Sequence, residues 1–473
     1  MTDLPQPIGP DEHKAAAREL GVRRVDDLLA LSRPNDPFLK GTESHWRDAR
    51  WFAGLWERFG YSSGVHLRRV HYQILSTGER TPTGEPYENT EQHWGLLRLA
   101  GAAARILGLL DPVAFADQRN APPRRHVTPR IDDPEPAWAW RLPGEEYLLS
   151  DATDLRWTVP SLNSNALDFQ ASYQLPRPQV VGYDYDPDDQ PVLVEVWIEK
   201  TTMDDVLVPV CQELNVNLLS GAGFQSITAA VALLRRAEAH AKPAHVLYIS
   251  DFDPAGVVMP VAIARQAQFW AARLGIDAEL TLHPIALTAD QVAAYALPRI
   301  PVKETDRRGP GFQARNGGGA VELDALEALH PGTLAEVVRH GIHPYLDATL
   351  PGRLRDADRG AGVALATAWD IASTGLVVER DRIEADIREV VGSYRQRIRE
   401  LSRDLADELR PHQQRLDDLR SRVAELVDGF EAELPDRPEA QAPDVNREGL
   451  LYDSTRGWWE QLQAFKAPRG AAS

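Results

Sequence analysis

The sequence is poor in the features that mark several large classes of protein. It contains one cysteine, Cys211, in 473 residues, which rules out a disulfide within the chain and a cysteine-based zinc site and fits a reducing cytoplasm. No G-x-x-x-x-G-K-[ST] loop of an ATPase occurs. The N-terminus lacks the basic-then-apolar pattern of a signal peptide, and no run approaches ~18 apolar residues. We therefore expect a cytoplasmic protein that neither spans a membrane nor is secreted.

The chain also lacks net positive charge: 52 Lys and Arg stand against 70 Asp and Glu, so the net charge is −18 at pH 7. Phosphate groups are bound by Lys and Arg, so the total charge is a weak argument against a nucleic-acid partner. The distribution is uneven, however. Residues 41–130 hold 12 Arg against 9 Asp and Glu, a balance of about +3, and the acidic residues concentrate in the C-terminal third and at 184–189. The local balance in the N-terminal region therefore permits binding to DNA.

Length and hydrophobic periodicity predict several domains. The hydrophobic content of 43% and the charged content of 26% are typical of a globular protein. Residues 1–120 have apolar positions at helical spacing and a turn-rich loop at 76–86, which suits a winged-helix-like DNA-binding domain. Residues 121–190 are rich in Pro and Asp, and we predict a connector there.

Residues 191–345 alternate between strands and helices. Strands are predicted at 192–198, 217–219, 245–250 and 279–285. This alternation is typical of a parallel sheet that is covered on both faces. The sequence therefore predicts an α/β fold with a Rossmann-like central domain.

The C-terminal region predicts long helices. Residues 346–434 carry apolar positions at spacings of three and four on both sides of Pro411, which should kink or break the helix. This spacing favours a coiled coil, either between two chains or within a hairpin of one chain, and a single amphipathic helix packed on the body is the alternative. Residues 435–473 are predicted to form an acidic, Pro-rich linker and a terminal helix.

Two acidic clusters follow strands of the α/β region. Glu199 and Lys200 come after the strand at 192–198, and Asp251 and Asp253 come after the strand at 245–250. Sites in open parallel sheets lie beyond the carboxyl ends of strands, so the two clusters can share a crevice. Crowded carboxylates repel one another unless a cation is present, and Mg²⁺ prefers oxygen ligands. The combination predicts a metal site, although each motif alone is also typical of a solvated turn or a helix cap.

These residues resemble the TOPRIM domain that topoisomerases, primases and several nucleases share. The stretch Asp251-Phe-Asp-Pro-Ala-Gly256 is most similar to the DNA-cleaving component of topoisomerase VI and to the meiotic double-strand-break transesterases. The resemblance implies that Glu199, Asp251 and Asp253 bind Mg²⁺, or Mn²⁺ in its place, and that Glu199 is also a general acid or base. Weaker similarity to uncharacterised bacterial and phage proteins of this architecture occurs at 35–38, 84–89, 303–306 and 321–326.

The same family places a tyrosine nucleophile in an N-terminal winged-helix domain, within the pattern Arg, acid, aliphatic, aromatic, Tyr. The stretch Arg68-Arg-Val-His-Tyr72 matches at Arg68, Val70 and Tyr72 and departs at Arg69 and His71. A tyrosyl oxygen with a pKa near 10 needs positive charge nearby to attack phosphorus, and Arg68, Arg69 and His71 could supply it. The alternative for Tyr72 is a surface residue of an amphipathic helix.

Basic residues beside these motifs are the candidates for contacts with nucleic acid. They are Arg68, Arg69 and His71 near Tyr72, Lys200 near Glu199, and Lys303, Arg307 and Arg308 in the Gly-rich loop at 303–319. Long basic loops are often functional, and a mobile surface insertion is the alternative.

The resemblance implies a homodimer that cleaves DNA. Tyr72 of one protomer would attack a phosphodiester held at the metal site of the other, which gives a 5′-phosphotyrosyl link and a free 3′-OH. A separate ATPase protein would be a further partner, as in topoisomerase VI. Two alternatives stay open: a TOPRIM endonuclease that uses metal-activated water in defence against phage or plasmids, and a DNA-binding scaffold without enzymatic activity.

Overall fold

The structure is a computed structural model that describes residues 9–116, 122–130, 135–141, 148–149, 174–221, 226–303, 306, 308–394, 402–443, 447 and 449–467. The chain divides into two compact units. The first, called the sheet unit, is Met1–Arg130, Pro187–Asp347 and Gln441–Ser473, and the second, called the hairpin unit, is Ile131–Asp186 and Ala348–Ala440. These boundaries differ from the predicted ones, because both ends of the chain join the α/β region and most of the predicted connector joins the C-terminal helices.

Helices account for most of the secondary structure. In chain order they are α1 (Pro10–Glu19), α2 (Glu43–Arg58), α3 (Leu67–Thr77), α4 (Glu91–Ile106), α5 (Asp204–Glu213), α6 (Ile227–His240), α7 (Met259–Leu274), α8 (Ala289–Ala294), α9 (Gly309–Asn316), α10 (Leu323–Leu329), α11 (Thr333–Ile342), α12 (Leu350–Tyr394), α13 (Ser402–Asp428) and α14 (Trp458–Lys466). The strands are β1 (Ala137–Arg141), β2 (Leu148–Leu149), β3 (Arg177–Val181), β4 (Leu193–Ile198), β5 (Asn217–Ser220), β6 (Ala244–Ile249), β7 (Leu280–Ala286) and β8 (Tyr452–Asp453).

A five-stranded sheet in the order β5-β4-β6-β7-β8 forms the centre of the sheet unit. β4 to β7 run parallel, and only the edge strand β8 is antiparallel. Successive side chains of β4 point to opposite faces: Trp197 joins the core that contains α6 and α7, and Val196 and Ile198 join the core that contains α5 and α11. Both faces are therefore covered, which explains the apolar strands and confirms the predicted α/β fold with a mostly parallel sheet.

A buried ion pair attaches the N-terminal segment to the sheet unit. Arg265 of α7 and Asp36 are both fully buried, and Arg265 Nε donates to the Asp36 carboxylate at 3.3 Å. The Arg265 guanidinium also lies 3.9 Å from the centroid of the Phe38 ring. Asp36 accepts a further hydrogen bond from the amide of Ala30. The stretch at 35–38, which contributed to the resemblance, therefore has a structural role in this protein.

The region from α2 to α4 is helical, as its periodicity predicts. Its core includes Phe52, Trp56 and Phe115, whose rings contact one another. The loop between α3 and α4 is a small hairpin that is closed by a bridge between Arg80 and Pro86. At residues 25–31, whose apolar spacing also predicts a helix, the structure has a short 3-10 helix, Val25–Leu28.

In the hairpin unit, α12 and α13 lie antiparallel. Arg415 pairs with Asp386 and Arg422 pairs with Glu379, so residue numbers rise along one helix and fall along the other. The apolar seam, which lies within one chain, includes Ile383, Ile387, Leu405, Leu409, Leu416, Leu419 and Val423. α13 continues through Pro411, where we expected a kink or break. Pro411 is on an exposed face, where solvent can bond the carbonyl group that the proline leaves without a partner.

Part of the predicted connector forms a sheet. β1 pairs with β2 and with β3, and all three are antiparallel. The ring of Trp140 on β1 lies 4.8 Å from the ring of Trp369 on α12. The signal for this strand was the alternation of small and large residues in Ala137-Trp-Ala-Trp140, which Pro and Asp on either side obscured.

Among the described helices, α12 is long and apolar enough to cross a membrane by length and composition alone. Within 350–390 an 18-residue window has a mean hydropathy of 1.5, and 28% of that window is buried inside the structure. A single such helix is weak evidence for a membrane span, and charged residues interrupt its apolar positions. Core helices of soluble proteins pass the same test, and α12 buries Leu365, Trp369 and Leu376 in the core of the hairpin unit.

The C-terminal segment completes the sheet unit. Tyr452 and Asp453 form β8 at the edge of the sheet, opposite Leu282 and Thr281. Trp458, Leu462 and Phe465 of α14 are buried in the same core as α6 and α7. The segment predicted as a linker and terminal helix therefore contributes a strand and a core helix.

Candidate metal centre

The candidate site lies where β4 and β6 end side by side. The two strands are parallel and in register, with Ile198 opposite Ile249, so the chains leave the sheet at the same edge. The Asp251 amide donates a 3.1 Å hydrogen bond to Glu199 Oε1. The structure thus brings together Glu199 and Asp251, which are 52 residues apart in sequence.

Glu199 is a buried carboxyl group with an unsatisfied oxygen. The residue is buried, with 7% of its surface exposed, and its Oε2 has no hydrogen-bond partner among the described residues. Burial, then the neighbouring Asp251 carboxyl and the negative charge of Asp253, together raise the pKa of Glu199 to about 8, and the hydrogen bond from the Asp251 amide opposes the shift. A divalent cation at Oε2 would oppose this shift, because it would stabilise the ionised form of the carboxyl group.

Asp251 is held in a fixed position by the backbone. It is 7% exposed, and its Oδ1 accepts a 2.7 Å hydrogen bond from the amide of Leu323. Phe252 and Val321 form a two-way backbone bridge with N–O distances of 2.9 Å, which keeps the segment before α10 against the end of β6. The turn after Asp251 is so tight that a Cβ atom on Gly256 would lie 2.1 Å from the Asp251 carbonyl oxygen.

Asp253 has two features of interest. Its Oδ1 accepts hydrogen bonds from the amides of Ala255 at 2.8 Å and Gly256 at 2.6 Å, which is the turn arrangement that we considered as the alternative to metal binding. Its charge also raises the pKa values of Glu199 and Arg308, so its carboxylate lies within electrostatic range of the crevice. Within the described part of the chain, no hydrogen bond to Oδ2 occurs, and this oxygen is the one that a cation would use.

Three acidic groups meet more closely than the predicted set. Oxygen atoms of Asp251, Glu322 and Asp324 lie within 4.8 Å of one another, and such a group could hold a metal ion. Lys200 Nζ lies among them, at 2.9 Å from Asp251 Oδ1, 2.9 Å from Glu322 Oε2 and 2.7 Å from Asp324 Oδ2. Burial works against the charged form of Lys200, but these three contacts raise its pKa above the usual value.

Glu322 and Asp324, in the stretch at 321–326, are weaker ligand candidates in the sequence than Glu199, Asp251 and Asp253. They stand at the N-cap and in the first turn of α10, which is a common place for acidic residues. The available signal was the alternation in Val321-Glu-Leu-Asp324, which sends both carboxylates to one side while Val321 and Leu323 are buried. What the sequence could not indicate is the bridge from Val321 to Phe252.

Tyr72 and the two arginines near it are on the surface of α3. The Tyr72 side chain is 61% exposed, and Arg68 and Arg69 are exposed as well. Residues three and four positions apart share one face of a helix, so both guanidinium groups are on the side of Tyr72. Among the described residues, no hydrogen bond or ring contact joins Tyr72 to the carboxylates at the strand ends.

His71 is a core residue, which corrects its assignment as a nucleic-acid contact. It is 5% exposed. Nδ1 is hydrogen-bonded to the Tyr87 hydroxyl at 2.8 Å and Nε2 to Asn89 Oδ1 at 3.2 Å. Burial raises the pKa of Tyr87 to about 12. Because both ring nitrogens are hydrogen-bonded inside the protein, His71 has no group left to bind a phosphate. Tyr87 and Asn89 of the stretch at 84–89 have a structural role, since they hold the His71 ring.

The basic loop before α9 lies near the site. Arg308 forms a two-point contact with Asp306, with Nε–Oδ1 at 2.9 Å and Nη2–Oδ2 at 2.8 Å, and this hydrogen bonding, together with the charge of Asp253, raises the pKa of Arg308. Lys303 is exposed. Arg307, the third predicted contact, lies outside the described residues.

No protein-family model matches the chain, and no curated protein matches it either.

Proposed function

We propose that this protein is a metal-dependent enzyme that cleaves DNA, with Tyr72 as the nucleophile and Glu199, Asp251 and Asp253 as the metal ligands. The observation that carries the proposal is the buried Glu199 carboxyl, which faces Asp251 with one oxygen unpaired. The donor set is made of carboxylate oxygens only, which suits Mg²⁺ or Mn²⁺. When bound, such an ion neutralises charge on a phosphodiester and orients it.

Tyr72 has the surroundings that a tyrosine nucleophile requires. Its side chain is open to a large substrate, and Arg68 and Arg69 on the same helix face provide positive charge that would attract the phosphate under attack. In the proposed step, Tyr72 Oη forms a bond to phosphorus, the bond from phosphorus to the 3′-oxygen breaks, the tyrosyl proton passes to water, and the 3′-oxygen takes up a proton. No oxidant or further co-reactant is needed.

The separation of Tyr72 from the carboxylates is the reason to include a second copy of the chain. We propose that two protomers act together, Tyr72 of one working at the carboxylates of the other. Arg68, Arg69, Lys303 and Arg308 would bind the DNA backbone, since phosphate contacts position a duplex without reading its sequence.

Hydrolysis by water is the second candidate. It is favoured by the same separation, because the carboxylates assemble within one chain without any contribution from Tyr72. In that case Tyr72 is a surface residue, and the ends of the cleaved DNA carry no protein.

The test is cleavage of supercoiled plasmid by the full chain with Mg²⁺ or Mn²⁺, stopped in SDS and analysed with and without proteinase K. Wild type is compared with Glu199→Gln and Tyr72→Phe. Matched controls are Glu213→Gln, a surface acid of α5 that pairs with Arg339, and Tyr61→Phe, whose hydroxyl bonds Gln73 at 2.8 Å.

Protein-linked breaks that disappear in Glu199→Gln and Tyr72→Phe, but persist in both controls, support the proposal. Protein-free ends that persist in Tyr72→Phe and disappear in Glu199→Gln support hydrolysis. If wild type makes no breaks and Mn²⁺ does not raise its unfolding temperature, both enzymatic candidates are wrong and a DNA-binding scaffold is favoured.

A further inference from the structure

The ammonium group of Lys200 occupies the position that a metal ion would take among three carboxylates. Lys200 Nζ lies 2.7 to 2.9 Å from Asp251, Glu322 and Asp324. An ammonium group has three donors, and here each one faces a carboxylate oxygen. Three negative charges nevertheless surround one positive charge, so the cluster keeps an excess of negative charge.

A second observation shows that Lys200 does not satisfy the whole site. Glu199 is more than nine-tenths buried and lies against Asp251, and its Oε2 has no partner in the described part of the chain. Lys200 makes no hydrogen bond to Glu199 among the described residues. An acceptor beside Asp251 is therefore left without the cation that its burial requires.

The cluster has a fixed inner ligand and an open outer side. The Asp251 side chain is 9% exposed, whereas those of Glu322 and Asp324 are 52% and 49% exposed. The Lys200 side chain, 20% exposed, reaches the cluster from the same edge, and a lysine stem is flexible enough to leave it. An ion can therefore enter from solvent while Lys200 moves out, without any change in the backbone around Asp251.

We propose that Asp251, Glu322 and Asp324 form a second divalent-cation position beside Glu199, in which a metal ion and the Lys200 ammonium replace one another. The two positions share Asp251. Use of this exchange in cleavage depends on the function proposed above, but the exchange itself does not. Once displaced, Lys200 can bind a phosphate group of DNA. Its predicted contact with DNA is therefore compatible with its contacts to three carboxylates in the metal-free protein.

The test measures Mn²⁺ binding to the full chain without nucleic acid, by calorimetry and by the loss of the free Mn²⁺ resonance signal. Four forms are compared: wild type, Lys200→Met, Asp324→Asn and the double variant. Removing the ammonium removes the competitor, so Lys200→Met should bind one Mn²⁺ at least about tenfold more tightly than wild type. That gain should disappear in the double variant, because the carboxylate that receives the ion is gone.

Two controls make the result specific. Lys14→Met removes an exposed lysine of α1 that has no part in the site and should leave Mn²⁺ binding unchanged. Lys200→Arg keeps the positive charge and should not show the tenfold gain. If Lys200→Met fails to fold, Lys200→Arg replaces it as the background for the test. In that background Asp324→Asn should still weaken Mn²⁺ binding.

Unchanged Mn²⁺ affinity in Lys200→Met, or a gain that persists with Asp324→Asn, would overturn the proposal. Glu199→Gln separates this proposal from the proposed function. It should abolish cleavage and weaken Mn²⁺ binding at the position that Glu199 itself would occupy, but the tighter Mn²⁺ binding caused by Lys200→Met should remain. A protein that cleaves DNA without the gain refutes the exchange alone, and one that shows the gain without cleaving refutes the function alone.

Discussion

Two glutamates on one stretch of chain, Glu195 in the middle of β4 and Glu199 just beyond its end, differ in how their buried charge is satisfied. Their exposures are 1% and 7%. Glu195 receives two hydrogen bonds of 2.7 Å from Arg236 and one of 2.8 Å from Trp197. Burial would raise the pKa of Glu195, but these partners lower it overall. In the described part of the chain no cation bonds to Glu199 in this way, and its pKa is raised to about 8.

The difference separates a structural acid from a candidate ligand. A buried charge whose hydrogen-bonding capacity is filled by the protein has nothing to offer a ligand, whereas one with an empty oxygen does. Both glutamates follow apolar residues in the same strand sequence, Leu193-Val-Glu-Val-Trp-Ile-Glu199. The distinction arises from Arg236, which α6 brings across from 41 positions away.

The largest effect should come from removing the partner of Glu195. We expect Arg236→Met to lower the free energy of unfolding by about 3–5 kcal/mol, because an uncompensated charge is left in the core. Arg235→Met is the matched control, since the neighbouring side chain is exposed and its loss should change stability by less than about 0.5 kcal/mol. Urea unfolding measures both.

The double variant Glu195→Gln/Arg236→Met refines the result. It removes both charges and should recover a large part of the stability lost in Arg236→Met. Equal losses in Arg235→Met and Arg236→Met would mean that the pair contributes nothing particular to the core, and the comparison between the two glutamates would then fail.

His245 is a third case, a buried titratable group that stays neutral. It lies on β6 opposite Val194, and Nδ1 is 2.6 Å from Thr281 Oγ1. Burial, helped by the charge of Arg447 and opposed by that of Asp453, lowers the pKa of His245 from 6.5 to about 4. Between pH 4 and 6.5 the unfolded chain binds one more proton than the folded one, so stability is fully present above pH 6.5 and falls as the pH drops to 4.

The fall in the pKa of His245 from 6.5 to about 4 corresponds to at most about 3–4 kcal/mol of stability. His245→Asn should remove this contribution to the pH dependence of urea unfolding between pH 4 and 6.5. His340→Asn, a change at an exposed position of α11, is the control and should leave the profile unaltered. A wild-type profile that is matched by His245→Asn would show that His245 titrates normally.

Metal binding should distinguish Glu199 from Glu195 directly. At Mn²⁺ concentrations 100 times the dissociation constant, wild type should gain about 2.7 kcal/mol of stability, and Glu199→Gln should gain much less. Without metal, Glu199→Gln should be neutral or stabilising, since it removes a carboxyl whose charge is disfavoured, whereas Glu195→Gln should be destabilising. Unfolding in urea with and without Mn²⁺ measures both gains in stability on metal binding and both changes in metal-free stability. A destabilised Glu199→Gln in metal-free buffer would contradict this account of the site.

The sequence was a good guide where a pattern is local. The apolar runs at β4 and β6 and the acids after them predicted the sheet and the meeting of Glu199 with Asp251. It failed where a residue's role depends on a distant partner. His71 looked like a cation beside a tyrosine, but Tyr87 and Asn89 fix it in the core. The place of β8 at the edge of the sheet likewise depends on long-range pairing that no local pattern encodes.

The smallest expected effect, on DNA binding, concerns Arg69 and His71. These two residues are close in sequence, as Glu195 and Glu199 are, but Arg69 is exposed and His71 is buried. If exposed Arg69 contacts a phosphate, Arg69→Gln should weaken DNA binding by a few-fold at moderate salt and reduce the slope of log K against log salt by about 1. His71→Asn should instead lower stability and leave that slope unchanged, because its ring nitrogens are bonded inside the protein. Fluorescence anisotropy of a labelled duplex between about 50 and 200 mM salt, a range over which one contact is resolvable, gives both slopes.

Arg339→Gln, on α11, is the control for the loss of an arginine. A reduced slope in His71→Asn would return His71 to the surface that binds DNA, and an unchanged slope in Arg69→Gln would remove Arg69 from it.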